Sequence, residues 1–465
     1  MNLLARFGLM ALAAAALAAQ AHAAVSFTNE IAPLFVQKCL TCHGPEKNKG
    51  GYRLDSYEAL MKPGGSKEAS ITPGQPKKSK LFQLITAKDE DDRMPQKNEP
   101  LSFGEIARIE RWINEGAKFD GPESKAPLVA IIPAITQPDP PAVYSRPAPV
   151  TALAFSPDGT ELAASGYHEI TVWNPTDGVL LRRIKNVAQR TLALAYQPHG
   201  RLLAAASGTP GRIGEVKLFD PATGALVKGI ATSADTMLTV AFSPDGAKLA
   251  CGGSDNAIRI FDVASGKPER VIEQHADWVM GLAYSHNGEL LASASRDKSA
   301  RLYDSETGEM AHSYFGHGEF VLGVAFSADD QRVFSCGRDR KVHIWSAGEI
   351  TKDTKAKGKG KEKERDKLGE ISGFEGDVLK VVVSSNWVFT CSADQSVRQY
   401  SAGKNPELVR SYTNHADVVY ALAFDDKSVR LATGGFDGNV RIFNAANGEL
   451  LVSFTAAPGL LISHQ

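Results

Sequence analysis

Five consecutive residues, Cys39-Leu40-Thr41-Cys42-His43, carry the densest chemistry in the chain. Two thiols separated by two residues fit on one helical turn, and an imidazole follows directly. A C-x-x-C-H run is the attachment pattern of a c-type haem, in which the two thiols bond the porphyrin and the His binds iron. A redox-exchange Cys pair would need a thioredoxin-like βαβ context, and a zinc site would need a second Cys or His pair. Residues 24–122 supply neither. The motif occurs once, so the expectation is one haem c per chain, attached at Cys39 and Cys42, with His43 on the iron.

The sixth ligand must come from elsewhere. His43 is the only His within 24–122, which excludes a second imidazole from this region. The Met residues there are Met61 and Met94. Met94 sits in Arg93-Met94-Pro95, where Pro95 stiffens the backbone beside the sulfur, and it lies just before a helix. Met61 follows the haem motif more closely, in a Gly/Pro segment, and reads equally as a packing residue at the end of a short helix; an open site is the remaining alternative. The order, a loop Met ahead of the last helix, resembles that of small class-I c-type cytochromes, and this makes Met94 the preferred ligand. A His/Met pair saturates the iron and raises its potential, which suits electron transfer over oxygen chemistry. Arg53 and Arg93 are candidates for haem propionates, because guanidinium–carboxylate bonds are charge-assisted.

These residues need a small helical scaffold. Ile31, Leu34 and Phe35 recur with helical spacing ahead of Cys39. Ser102 and Glu105 form a capping box for a second helix, with Ile106, Ile109, Trp112 and Ile113 on one face and Gly116 as its stop. Between them, 44–100 reads as Gly/Pro/Lys-rich loop. The segments Cys42-His43-Gly44-Pro45 through Leu54-Asp55, Pro73-Gly74, Arg93-Met94-Pro95 and Ile109 to Ile113 together resemble the cytochrome c domain of large planctomycete-type proteins. Such domains are often fused to other extracellular modules, propellers included. The resemblance implies haem binding and electron transfer and leaves the substrate open.

The start of the chain reads as an export signal. Arg6 gives a basic region, 7–19 an apolar core, and Ala21-His22-Ala23 an A-x-A cleavage site. The expected divisions are a signal peptide at 1–23, a cytochrome domain at 24–121 and a Pro-rich linker at 122–149. The linker reads as a semi-rigid tether. Within it the apolar run 128–135 could dock as a stray strand. The expected location is periplasmic or otherwise exported and soluble, with no transmembrane segment in the mature chain.

From Val150 the sequence repeats. An apolar strand closes on Phe155, Tyr196, Phe242, Tyr284, Phe326 and Phe424, with Val382 in the degenerate sixth unit. A third strand closes on Trp173, Phe219, Phe261, Tyr303, Trp345, Tyr400 and Phe443. These units resemble WD repeats, which implies a seven-bladed β-propeller over 150–465. His317, Ser335, Asp339 and Trp345 match that family's internal hydrogen-bond set in the fifth unit. His275, Ser293 and Asp297 in the fourth unit, and His415, Thr433 and Asp437 in the seventh, match it in part. The last unit has its own outer strand, 450–454, so the ring should close by end-to-end packing of blades.

The fold class expected is therefore multidomain: a small all-α, class-I-like cytochrome c domain followed by an all-β seven-bladed WD-repeat propeller. Net charge is −1, so no general attraction to nucleic acid is expected. Cys251, Cys336 and Cys391 fall at small-residue positions of second strands and read as buried, inert thiols. His168, His199 and His343 fit the repeat pattern less clearly. A Lys-rich insertion at 351–367 reads as a solvated loop or as a docking arm for an acidic partner. The functional expectation is an exported single-electron carrier whose propeller docks redox partner proteins. The alternatives are a haem-dependent oxidoreductase whose propeller binds the substrate, and a scaffold or sensor with a structural haem. A nitrite-reductase-like enzyme would need another haem, and no second attachment motif occurs.

Overall fold

Aromatic packing organises the N-terminal part. Phe27 lies in a π-helical turn, Phe27–Ile31, that runs into the helix Ala32–Lys38. Phe27 and Phe35 both pack on Trp112, with ring centroids 5.4 and 6.3 Å away. Trp112 belongs to the helix Phe103–Asn114, which begins with the expected capping box: Glu105 N–H donates to Ser102 Oγ at 3.3 Å and Ser102 N–H to Glu105 Oε2 at 2.6 Å. Ile109, Trp112 and Ile113 are fully buried on its inner face. Gly116, at φ 97°, follows the helix end, in the left-handed region that glycine adopts without strain.

The computed structural model describes residues 24–44, 48–96, 100–132, 136–233, 235–347, 367–412 and 415–460. The expected leader, 1–23, and all of the insertion except Lys367 lie outside these. The chain divides into two compact units, 1–133 and 134–465.

Two sequence expectations for the first unit need correction. The region read as loop contains short helices at Tyr57–Leu60 and Lys80–Ile85, which bury Leu60, Leu81, Phe82 and Ile85. The run read as a stray strand is a helical turn, Leu128–Ile131. Leu128 and Ile131 are buried in the core of the first unit, and no described residue of 128–135 joins a sheet. Four apolar residues have no readable period, and burial against the helical core decided their conformation.

The second unit is a seven-bladed propeller. Each blade is a four-stranded antiparallel sheet of consecutive strands, covering 153–184, 190–233, 237–272, 279–314, 321–371, 378–412 and 419–455. Second strands such as Leu162–Ser165 and Lys248–Gly253 are rich in small residues and, apart from Lys248, buried on both faces, which lets adjacent blades pack closely. Outer strands such as Leu180–Ile184 are half-exposed.

The ring closes end to end, as expected. Val150 N–H donates to Gly435 C=O at 3.0 Å, and Lys427 Nζ to Pro157 C=O at 2.7 Å. Trp173 of the first blade stacks on Phe454 of the last at 4.5 Å. Residues before the first strand also fasten to the ring. Tyr144 OH donates to the buried Glu169 at 2.6 Å, and Arg183 bridges Glu169 to the backbone carbonyls of Pro141 and Ala142.

Candidate functional site

The C-x-x-C-H motif is one closed turn. Cys39 ends the helix Ala32–Lys38 and caps the next, Leu40–His43. Its carbonyl accepts from Cys42 N–H at 3.2 Å and from His43 N–H at 3.0 Å. Both thiols are therefore presented by a single turn, unpaired and partly buried. Burial first, and the Cys42 thiol second, push the Cys39 thiol up to about 12.

His43 is oriented by a backbone atom. Its Nδ1 lies 3.2 Å from the Tyr52 carbonyl. A carbonyl only accepts, so this bond requires the proton on Nδ1 and leaves the lone pair on Nε2. Fixing the far ring nitrogen in this way is how proteins prepare a metal-ligating His. Tyr52 is itself anchored, with its OH donating to the Leu60 carbonyl at 2.9 Å and its ring 5.6 Å from that of His43. Burial raises the Tyr52 phenol above its usual range, so it stays a donor.

The loop after the motif folds back through glycines. Gly65 N–H donates to Gly50 C=O at 2.6 Å, and a Cβ at Gly65 would stand 2.7 Å from that oxygen. Only glycine permits that approach, which explains part of the glycine content of this stretch.

Cys39, Met61 and Met94 all border the same apolar core as Phe35, Leu60 and Trp112. Met61 directly follows the helix Tyr57–Leu60, and Met94 N–H donates to Leu84 C=O at 3.0 Å. Arg53 pairs with Asp55 through two bonds of 2.8 Å, and Arg93 pairs with Glu90 at 3.2 Å. Each guanidinium has five N–H donors, so neither pair exhausts it. The structure thus puts Cys39, Cys42 and His43 on one turn, and leaves both arginines in local ion pairs.

The donor set fits a haem. Two unpaired thiols on one turn, an imidazole with its tautomer fixed, and an adjoining apolar core match what a covalently held porphyrin needs. Sequence reading missed the role of Tyr52, because its carbonyl has no side-chain signature.

In the propeller, the fifth blade contains the full expected network. His317 Nδ1 lies 2.8 Å from Asp339, His317 Nε2 2.8 Å from Ser335 Oγ, and Trp345 Nε1 donates to the same Oγ at 3.0 Å. The fourth blade repeats the His275–Asp297 and His275–Ser293 bonds at 2.8 and 2.7 Å. The seventh retains His415 to Thr433 at 2.9 Å. Cys251, Cys336 and Cys391 are buried and unpaired. Among the described residues, no helix is long and apolar enough to cross a membrane.

Comparison with known families agrees with this geometry. The profile described as Planctomycete cytochrome C matches residues 39–98. The profile described as WD domain, G-beta repeat matches 140–174, 227–262, 266–304, 308–346 and 406–444. No curated protein matches the chain. A cytochrome c domain of this family implies haem. The chain joins a cytochrome c domain of the planctomycete type to a seven-bladed WD-repeat propeller.

Proposed function

We propose that this chain is an exported single-electron carrier with one covalent haem c in a class-I-like domain, delivered to its redox partner by the propeller. The observation that carries the proposal is the closed turn of Cys39, Cys42 and His43, with His43 held by the Tyr52 carbonyl at 3.2 Å. Cys39 and Cys42 would hold the porphyrin through thioether bonds, and His43 Nε2 and Met94 Sδ would hold the iron. When bound there, the haem supplies a one-electron couple whose potential a thioether ligand raises. The Tyr52 carbonyl keeps the His43 proton on Nδ1, and the core around Phe35 and Trp112 excludes water from one side of the site. Arg53 and Arg93 are proposed to turn their remaining N–H donors toward the propionates.

The docking role rests on the WD-repeat matches and on a run of side chains across two blades. The Arg296 guanidinium lies 4.1 Å from the Trp278 ring and 4.8 Å from that of Phe320, and Arg338 lies 5.3 Å from Phe320. Trp and Arg are the residue types that most often dominate binding energy at protein interfaces.

Intact-mass measurement of the denatured, exported chain tests attachment. The expected mass is that of the polypeptide from Ala24 plus one haem, and Cys39→Ser with Cys42→Ser should give the bare polypeptide. A bare polypeptide from the unmodified protein would overturn the reading.

A further inference from the structure

The turn aspartate of the fifth blade has an unusual neighbour. In the third, fourth, sixth and seventh blades the equivalent aspartate pairs with an arginine four residues on. These pairs are Asp255–Arg259 at 2.7 Å, Asp297–Arg301 at 3.2 Å, Asp394–Arg398 at 3.1 Å and Asp437–Arg441 at 2.9 Å. The fifth blade has His343 in the arginine's place, beside Asp339. A permanent cation is thereby replaced by a ring that offers a lone pair.

From this substitution we propose that His317, Asp339 and His343 form a binding site for one divalent transition-metal ion, of the zinc(II) class. Two imidazoles and one carboxylate are a recurrent donor set for such ions. The three donor atoms lie within 4.8 Å of one another. His317 Nδ1 is 2.8 Å and His343 Nε2 is 3.1 Å from Asp339 Oδ2. Bonds of about 2.0–2.1 Å to a tetrahedral ion place donor atoms roughly 3.3 Å apart. Small rotations of the two imidazoles bring the set to that spacing.

The surroundings are prepared for an ion. His343 Nε2 is buried and makes no hydrogen bond despite its distance from Oδ2, and Asp339 Oδ1 is also buried without a partner. Leaving such groups unpaired is costly, and a cation held by Nε2 and by both carboxylate oxygens would satisfy them. The far nitrogen of each ring is already held, His317 Nε2 by Ser335 Oγ at 2.8 Å and His343 Nδ1 by Tyr314 OH at 2.8 Å. On binding, the His317 proton moves from Nδ1 to Nε2, where Ser335 Oγ accepts it, so the ring stays neutral. The Asp339 side chain retains 12% exposure, which gives the ion a way in. The ion would take the position that the guanidinium occupies in the sister blades and would join the third strand of the blade to the loop before its first.

The test uses the full-length, haem-loaded protein, stripped with chelator and titrated with zinc(II). The unmodified chain should bind one more equivalent than His343→Arg, which restores the sister-blade pattern. Its propeller unfolding temperature should rise by several degrees with zinc, and that of His343→Arg should not. Equal zinc content and equal thermal response in the two proteins would overturn the proposal, as would an imidazolium at His343 in zinc-saturated protein. Zinc-edge X-ray absorption of the unmodified chain is a check that needs no variant. Only nitrogen and oxygen neighbours, with imidazole scattering, are expected, and sulfur neighbours would move the ion to the cysteines and sink the proposal.

Discussion

At the scale of single residues, the proposed cytochrome site depends on one backbone oxygen and one thioether. The Tyr52 carbonyl sets the tautomer of His43. Met94 borders the core that also holds Cys39. Met94→Ala should abolish the weak near-infrared absorption of a Met–ferric-iron bond and lower the reduction potential. A retained band would assign the ligand to another sulfur, with Met61 next in line. In the propeller, burial and then the Arg441 charge push His415 down to about 4. Asp437 faces it as well, and its own carboxyl is held below the usual range. An unfolded His titrates near about 6.5, so between those values the unfolded chain takes up a proton that the folded chain refuses. The contribution is fully present above about pH 6.5 and is lost as pH falls toward 4, a span of roughly 3 kcal/mol. His415→Gln should flatten that part of the decline in chemical-denaturation curves taken from pH 7 to 4. An unchanged slope would mean that His415 binds its proton equally in the folded and unfolded chain.

At the scale of elements, what could be read from the sequence depended on length and on the kind of atom used. The helix Phe103–Asn114 was legible because its capping box and its apolar face extend over three turns. The helices Tyr57–Leu60 and Lys80–Ile85 were not, since four to six residues set no period. Leu128–Ile131 was misread for the same reason: a short apolar run fits strand or helix, and only its burial in the helical core decides. The blades were legible because one pattern recurs seven times, and even the degenerate sixth blade forms four strands. The Cys39–His43 turn was legible from side chains alone, whereas the Tyr52 carbonyl was not. His343 stood out as irregular, but its meaning needed the four Asp–Arg pairs of the sister blades in three dimensions. Ser102→Ala removes the capping oxygen of Phe103–Asn114 and should cost about 1 kcal/mol in the denaturation of the cytochrome unit. A loss near zero would show that burial of Ile109, Trp112 and Ile113 holds this helix without its cap.

At the scale of the whole molecule, the chain pairs a cytochrome c unit of the planctomycete type with a closed seven-bladed ring. The ring closes by packing of its first blade on its last, through Trp173 and Phe454. If the Arg–aromatic run docks the partner, Trp278→Ala with Phe320→Ala should slow reduction of the partner at least tenfold while leaving the haem spectrum unchanged. Equal rates would move the docking surface elsewhere on the chain. The measurement that bears most directly on the central claim is an optical redox titration of the purified, full-length exported protein. The account expects one low-spin haem that cycles reversibly in a single one-electron step and remains six-coordinate in both states. A high-spin haem that binds added ligands freely, or a second chromophore titrating alongside it, would contradict the reading as an electron carrier.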